Sequence, residues 1–478
     1  MPEGQVLEQE SGMGLEASEQ ATEKQQKELE HDRPTSADEI QKSTFSTACG
    51  VFATHSQHGP KPRGQTPKLS GPELVRSLVF HVLCGVGTLA AHVQQLTGVK
   101  VSDSDLSQRR AAAGVGVFEA IVRAALRPLA TLGEHPSAFY RGWRLVAIDG
   151  SQTSVSNTPQ LLRHLSKTAS RRFHAAFAKV PMCWLVELGT HAPLAAVLGL
   201  AQESEWALGH RLLAQLPTGC LLLADRLYGV GAFVNELMVV GQTVGSQWLV
   251  RVRQNLKSSV RQVLADGSAL VAVAVPHPRY PNRKAGFVLV RQIVGRVRRP
   301  GGAWVTVRLW TSLLDASAYP AAELLALYAR RWDIEVFTKE LKVDLRGGTT
   351  VLQSHTLVTA AQEILALVLA MAMLSQVRLA AATTGAVAPL RISFGQTLAL
   401  VRSLWWMVAV GEGILAADQV RALVARTLEQ IAAQCLPPRR ARTCARGLRR
   451  PVQSWPRLTA PSYQNGPTQQ EVLPTKTV

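Results

Sequence analysis

The chain has 478 residues, a formal net charge of +18 and a pI of about 10.1, enough length for two or three domains with a sizeable core. Its longest apolar run, Ile364 to Leu374, spans eleven residues between Glu363 and Arg378, too short to cross a bilayer, and its first forty residues are too polar for a secretory signal. The six cysteines show no paired CxxC spacing, so neither a zinc site nor a disulfide framework is expected and a reducing cytosol fits.

The charge is unevenly distributed. Residues 1–40 hold eleven acids and three bases, so residues 41–478 carry +26. A body that basic suits a polyanionic partner, attracted through salt-dependent phosphate contacts. Residues 1–70 are rich in Glu, Gln, Ser, Thr and Lys and read as a disordered polar tail. Residues 71–138 follow with helical periodicity, Leu74, Leu78, Val79, Val82 and Leu83 forming one apolar stripe. A second helix start is signalled at Ser102–Asp105 by residues that cap well. Gln108, Arg109 and Arg110 could dock on DNA as in a helix-turn-helix, or the segment could be a helical cap on the next domain.

Trp143 to Ser151 reads as a buried strand running into an acid, Asp149, followed by Gly150. Val180–Leu188 and Ala192–Leu200, joined by Gly189-Thr190-His191, predict a hairpin. After a helical segment over 203–216, Cys220 to Arg226 repeats the device, an apolar strand ending at Asp225. A second helical segment covers 231–240, and Trp248 to Val252 is a further strand. These make up a core over 139–253. Residues 254–316 alternate in Val-rich runs (Leu270–Val275, Phe287–Val294, Trp304–Trp310) and read as a β-rich insertion. Across 251–314 there are twelve Lys or Arg against one acid, Asp266, which makes the insertion a candidate DNA-contacting surface.

Residues 317–385 return to helix. Leu327 to Lys342 has no Pro or Gly, and one continuous helix is expected there. At about 100° per residue, Tyr328, Arg331, Glu335 and Lys342 share an arc of roughly 60°, with Ile334, Phe337 and Leu341 on the opposite side. Asp333 and Glu340 point off that face. Leu345-Arg346-Gly347-Gly348 should end the helix. A long apolar helix over about 356–379, a helical region over 386–436 and a basic tail over 437–478 complete the chain; the tail carries Arg439, Arg440, Arg442, Arg446, Arg449, Arg450 and Arg457.

The spacing Tyr-x2-Arg-x3-Glu-x6-Lys at Tyr328, Arg331, Glu335 and Lys342 resembles the signature of insertion-sequence DDE transposases of the IS-four group. The element order, with acids at Asp149, Asp225 and Glu335, is similar to the RNase H-like (retroviral integrase-like) α/β fold of that family. The resemblance implies metal-dependent DNA cleavage and strand transfer, with Asp149, Asp225 and Glu335 as catalytic and metal-binding acids. Asp149 would bridge two Mg²⁺ ions (Mn²⁺ substituting) and the other two acids would bind one each. It further implies that Tyr328, Arg331, Lys342 and Arg226 hold DNA, and that a Trp of the insertion, Trp304 or Trp310, stacks on a flipped base unless it is simply core. Partners would be transposon ends with inverted repeats and target DNA, bound by a homodimer in a bacterial, nucleoid-associated, cytoplasmic setting without membrane. Two alternatives stand beside it: an RNase H-like nuclease without strand transfer, and a catalytically silent DNA-binding derivative.

The residue types suit the reaction. In-line attack on a phosphodiester is served by divalent ions that activate one oxygen and stabilise another. Hard cations prefer a few carboxylate oxygens, while a guanidinium grips phosphate with parallel donors and an ammonium acts as a point charge.

Overall fold

A computed structural model describes residues 69–437 except 171–172, 281, 299–303 and 348–350. Nearly all of the expected polar and basic tails, 1–70 and 437–478, lies outside the described residues. Among the described residues four helices come first: α1 (Gly71–Cys84), α2 (Leu89–Thr97), α3 (Asp103–Ala113) and α4 (Gly116–Ala125). A capping box between Ser70 and Glu73 starts α1, and Ser102 caps α3, each satisfying amides that a helix start leaves bare.

The strands β1 (Phe139–Tyr140), β2 (Trp143–Val155), β3 (Ser166–Ser170), β4 (Phe173–Glu187), β5 (Ala192–Leu198), β6 (Cys220–Ala224) and β7 (Gln247–Arg251) follow. Helix α5 (Glu205–Leu213) links β5 to β6, and α6 (Gly231–Thr243) links β6 to β7. Then come β8 (Ser259–Val263), β9 (Ala269–Pro276), β10 (Lys284–Arg298) and β11 (Trp304–Thr311). After helices α7 (Ala321–Tyr328) and α8 (Trp332–Lys339), short β12 (Val351–Leu352) precedes α9 (Leu357–Thr384), α10 (Phe394–Val410) and α11 (Ala417–Ala432).

The strands form one mixed sheet in the order β3-β4-β2-β6-β7-β11-β10-β9-β8, with β1 and β12 against β2 and β5 against β4. β2, β6 and β7 run parallel, as their helical crossovers require, while β4 lies antiparallel to β2. The insertion is therefore a continuation of the sheet: β11 pairs with β7 and the meander β8–β11 extends outward. Asp266, in the turn between β8 and β9, forms an ion pair with Arg291, whose side chain is fully buried and also reaches the carbonyls of Leu313, Asp315 and Tyr319. That ties the outer strands to the chain leading into α7.

Two cores sandwich the sheet. Leu145, Ala147, Leu221 and Leu223 face one that includes Ile334, Phe337 and much of α9. Val146, Ile148, Leu222 and Ala224 face the other, with Leu208 and Leu212 of α5 and Phe233 of α6. This alternation is the period of a strand buried on both sides. α9 is the helix among the described residues that is long and apolar enough to cross a membrane, and 78% of its most apolar window is buried within the protein. Arg110 of α3 is spent on that packing, donating to Gln362, Ser354 and the Thr359 carbonyl, which is what a helical cap would do.

Candidate active site

Register places the first two acids. β2 and β6 pair in parallel with Ala147 opposite Leu223, so two residues further on Asp149 and Asp225 reach the same level on adjacent strands. Both continue the alternating set of Leu145, Ala147, Leu221 and Leu223, which faces the core containing α8. Beyond Ala224 the chain turns, the Leu227 amide donating to Asp225 Oδ1 at 2.6 Å, a local side-chain turn that fixes the second acid.

The third acid arrives from above. The run expected as one α-helix is α7, a 3₁₀ turn over Ala329–Arg331, α8 and a π turn over Glu340–Asp344. The continuous-helix expectation is corrected: α7 and α8 keep α geometry, but a tight turn separates them and a wide turn follows α8. Ile334, Phe337 and Leu341 are buried as the periodicity predicts. The polar face looks onto the strand ends. The Tyr328 hydroxyl donates to the Ala224 carbonyl at 3.2 Å, and Arg331 Nη2 donates to Glu335 Oε1 at 2.7 Å. Lys342 Nζ donates to Ser151 Oγ at 2.9 Å and the Gln152 carbonyl at 2.5 Å.

Electrostatics shows that the acids share a neighbourhood. Burial, then the charges of Glu205, Asp225 and Glu335, push Asp149 up to about 7, with Arg331 acting in the opposite direction. Among the described residues no three His, Cys, Asp or Glu side chains are already gathered tightly enough to hold a metal ion; Arg331 holds Glu335 and acts on Asp149. The donor chemistry nevertheless fits a hard divalent cation, since carboxylates that repel one another are what such an ion neutralises. Beside them Asp225, Arg226, Arg251, Tyr328 and Arg331 line a cavity of about 220 Å³, with three guanidinium groups suited to phosphate. Burial lowers the Lys342 ammonium, and Lys179 and Arg346 add to that.

The tryptophans divide. Trp304 is 63% exposed at the outer end of β11, whereas Trp310 is 1% exposed in the core and donates from Nε1 to Gln292 Oε1 at 3.1 Å. Trp310 is therefore corrected from candidate base-stacking residue to core, because it lies where β11 is flanked by both β7 and β10, whereas Trp304 lies beyond the reach of β7 and pairs with β10 alone. Sequence reasoning missed two residues. Arg251 was read only as part of a strand, and Glu205 resembles any first-turn acid of a helix capped by Ser204.

A protein-family profile described as "Transposase DDE domain" matches residues 142–373, a span containing all three acids. Transposase InsG for insertion sequence element IS4, of Escherichia coli (strain K12), is 26% identical over 235 residues, 49% of this chain and 52% of that one. Putative transposase InsZ of the same organism is 28% identical over 124 residues, 25% of this chain and 40% of that one. The alignments thus span about half the length of these relatives or less. A piggyBac transposase synaptic complex with hairpin DNA overlays with a TM-score of 0.42 at 10% identity, covering 81% of this chain and 82% of that one, too loosely to carry an argument.

Proposed function

We propose that this chain is a DDE transposase, on the strength of its match to the transposase DDE domain and its similarity to the IS4 transposase, and that it cleaves transposon-end DNA and joins it to a target. The reading is carried by one arrangement: Asp149 on β2 and Asp225 just past β6 lie two residues beyond the paired Ala147 and Leu223, and Arg331, which donates to Glu335 at 2.7 Å, lines one cavity with Asp225. The three acids would hold two Mg²⁺ ions, Mn²⁺ substituting. Such ions supply an activated oxygen nucleophile and charge stabilisation at the leaving oxygen.

The protein's own groups prepare that chemistry. Glu335, which accepts from Arg331, would be one of the acids holding the cation, and Arg331 together with Arg226, Arg251 and Tyr328 would orient the scissile phosphate. Orientation is much of what in-line displacement requires. Lys342 adds positive charge where β2 leaves the site, and exposed Trp304 is available to stack on an unpaired base. The RNase H-like reading of the fold is supported by the parallel β2, β6 and β7 beside antiparallel β4, with Asp149 within β2 and Asp225 directly after β6.

In this reading 71–138 is a DNA-binding helical region. The catalytic core comprises 139–253 and 317–385, interrupted by the β-rich 254–316, and 386–436 is a C-terminal helical region. Two ends must be held together, which favours a homodimer on DNA, working in the bacterial nucleoid. The test is a Mg²⁺-dependent cleavage assay on DNA bearing the gene's own flanking inverted repeats. Cutting and joining is expected; cutting without joining would favour a nuclease, and binding without cutting a silent DNA-binding derivative.

A further inference from the structure

Glu205 stands on α5, across the sheet from α8, yet it touches the segments that carry both strand acids. Its Oε1 accepts from the Gly150 amide at 3.2 Å and from the Tyr228 hydroxyl at 3.2 Å. Gly150 directly follows Asp149. Tyr228 belongs to the turn that begins at Asp225, its amide donating to the Asp225 carbonyl at 3.2 Å. One carboxylate oxygen therefore joins the chain just past the first acid to the turn just past the second.

The surroundings are shaped for this bridge. A Cβ on residue 150 would lie 2.2 Å from the Glu205 carboxyl carbon, so only glycine lets the side chain lie against β2. Tyr228 is fully buried, with its ring against Phe233 and its hydroxyl 3.4 Å from Cys183 Sγ. Cys183 Sγ in turn donates to the Asp149 carbonyl at 3.1 Å. At this level β2 and β6 have no ladder bond of their own, their pairing having ended at Ala147 and Leu223. Past that point the spacing of the two strand ends needs another tie.

We propose that Glu205 is a positioning residue of the acid site, bridging Gly150 and Tyr228 so that Asp149 and Asp225 stay at the separation a shared divalent cation requires. The inference rests on the metal-binding reading of those acids. Glu205 is also the foremost of the charges that raise Asp149, which agrees with its closeness. A glutamine in its place keeps an acceptor oxygen for both donors; an alanine keeps none.

The test measures Mn²⁺ binding to the full-length protein without DNA, by the loss of the free-ion paramagnetic resonance signal, alongside thermal unfolding in the absence of metal. E205A is expected to weaken Mn²⁺ binding about tenfold while E205Q stays within about twofold of the unmodified protein. Unchanged binding by E205A overturns the proposal, and so does E205Q as weak as E205A, because the charge and not the bridge would then matter. Should E205A fail to fold, Y228F, which removes one hydroxyl, is expected to weaken Mn²⁺ about threefold, and unchanged binding there overturns the proposal equally. D225N separates the two levels: if it binds Mn²⁺ normally, the metal-site reading itself falls. If D225N loses the ion and E205A does not, the role of Glu205 alone falls.

Discussion

Glu335 and Glu340 lie on one helical run and live in opposite surroundings. Glu340 is buried behind the sheet, where burial alone would raise its carboxyl, but Arg378 and His191 outweigh that and hold it at about 2. His191 Nδ1 lies 2.7 Å from its Oε2 and Arg378 Nη1 donates to its Oε1 at 3.0 Å. Ser375 closes the network by donating to the His191 carbonyl at 2.8 Å. Across the helix Arg331 is the cation that acts on Asp149, but burial and the charges of Glu205, Asp225 and Glu335 outweigh it, and Asp149 moves upward instead. Where acids are neutralised by built-in bases they hold elements together. Where acids outnumber bases, the site is left with a demand for positive charge that an external ion can meet.

The sharpest way to test the contrast is to neutralise each side. D149N, D225N or E335Q should each lower Mg²⁺-dependent cleavage by about a thousandfold or more while DNA retention in a gel-shift assay stays within a few-fold. Robust cleavage by any of them would remove that residue from the site. On the other side, E340A should cost about 3–5 kcal/mol in denaturant unfolding, because it strands the buried Arg378 charge. A loss under 1 kcal/mol would mean the network contributes little.

A smaller effect separates the regions by pH. The raised Asp149 contributes stability that is complete below about 3.8 and is lost as pH rises through about 7. The lowered Glu340 does the reverse, its contribution being present above 4.5 and lost as pH falls toward 2. Melting curves of D149N and the unmodified protein, without divalent ions, should therefore diverge in favour of D149N between pH 5 and 8; a constant difference would contradict the pH dependence assigned to Asp149. The smallest effect is expected from K342A, a severalfold loss of cleavage with a weaker salt dependence. An unchanged rate and salt dependence would leave Lys342 as a clasp on Ser151 and Gln152 only.

What could be read from the chain beforehand follows from locality. Asp149 and Asp225 announce themselves because an apolar strand meeting an acid is a local pattern, and Glu335 because helical spacing groups it with Tyr328 and Arg331. Glu205 stayed hidden since an acid after a capping serine looks the same whether or not a tyrosine from another loop reaches it. β8 escaped notice because all five of its residues are exposed, leaving no apolar alternation to detect. Helical spacing shows only that Glu340 points off the Tyr328–Lys342 face; its partners, His191 and Arg378, are distant in sequence. The π turn that carries Lys342 leaves no mark in composition.

Because β8 through β11 are stitched laterally onto β7, the outer strands are a selvedge of the catalytic fabric and not a flap hung from it. From β11 the pairing runs through β7 and β6 to β2, the strand that bears Asp149. Excising 254–316 would also tear the hem from β7, baring unpaired amides and carbonyls that invite sticking between molecules.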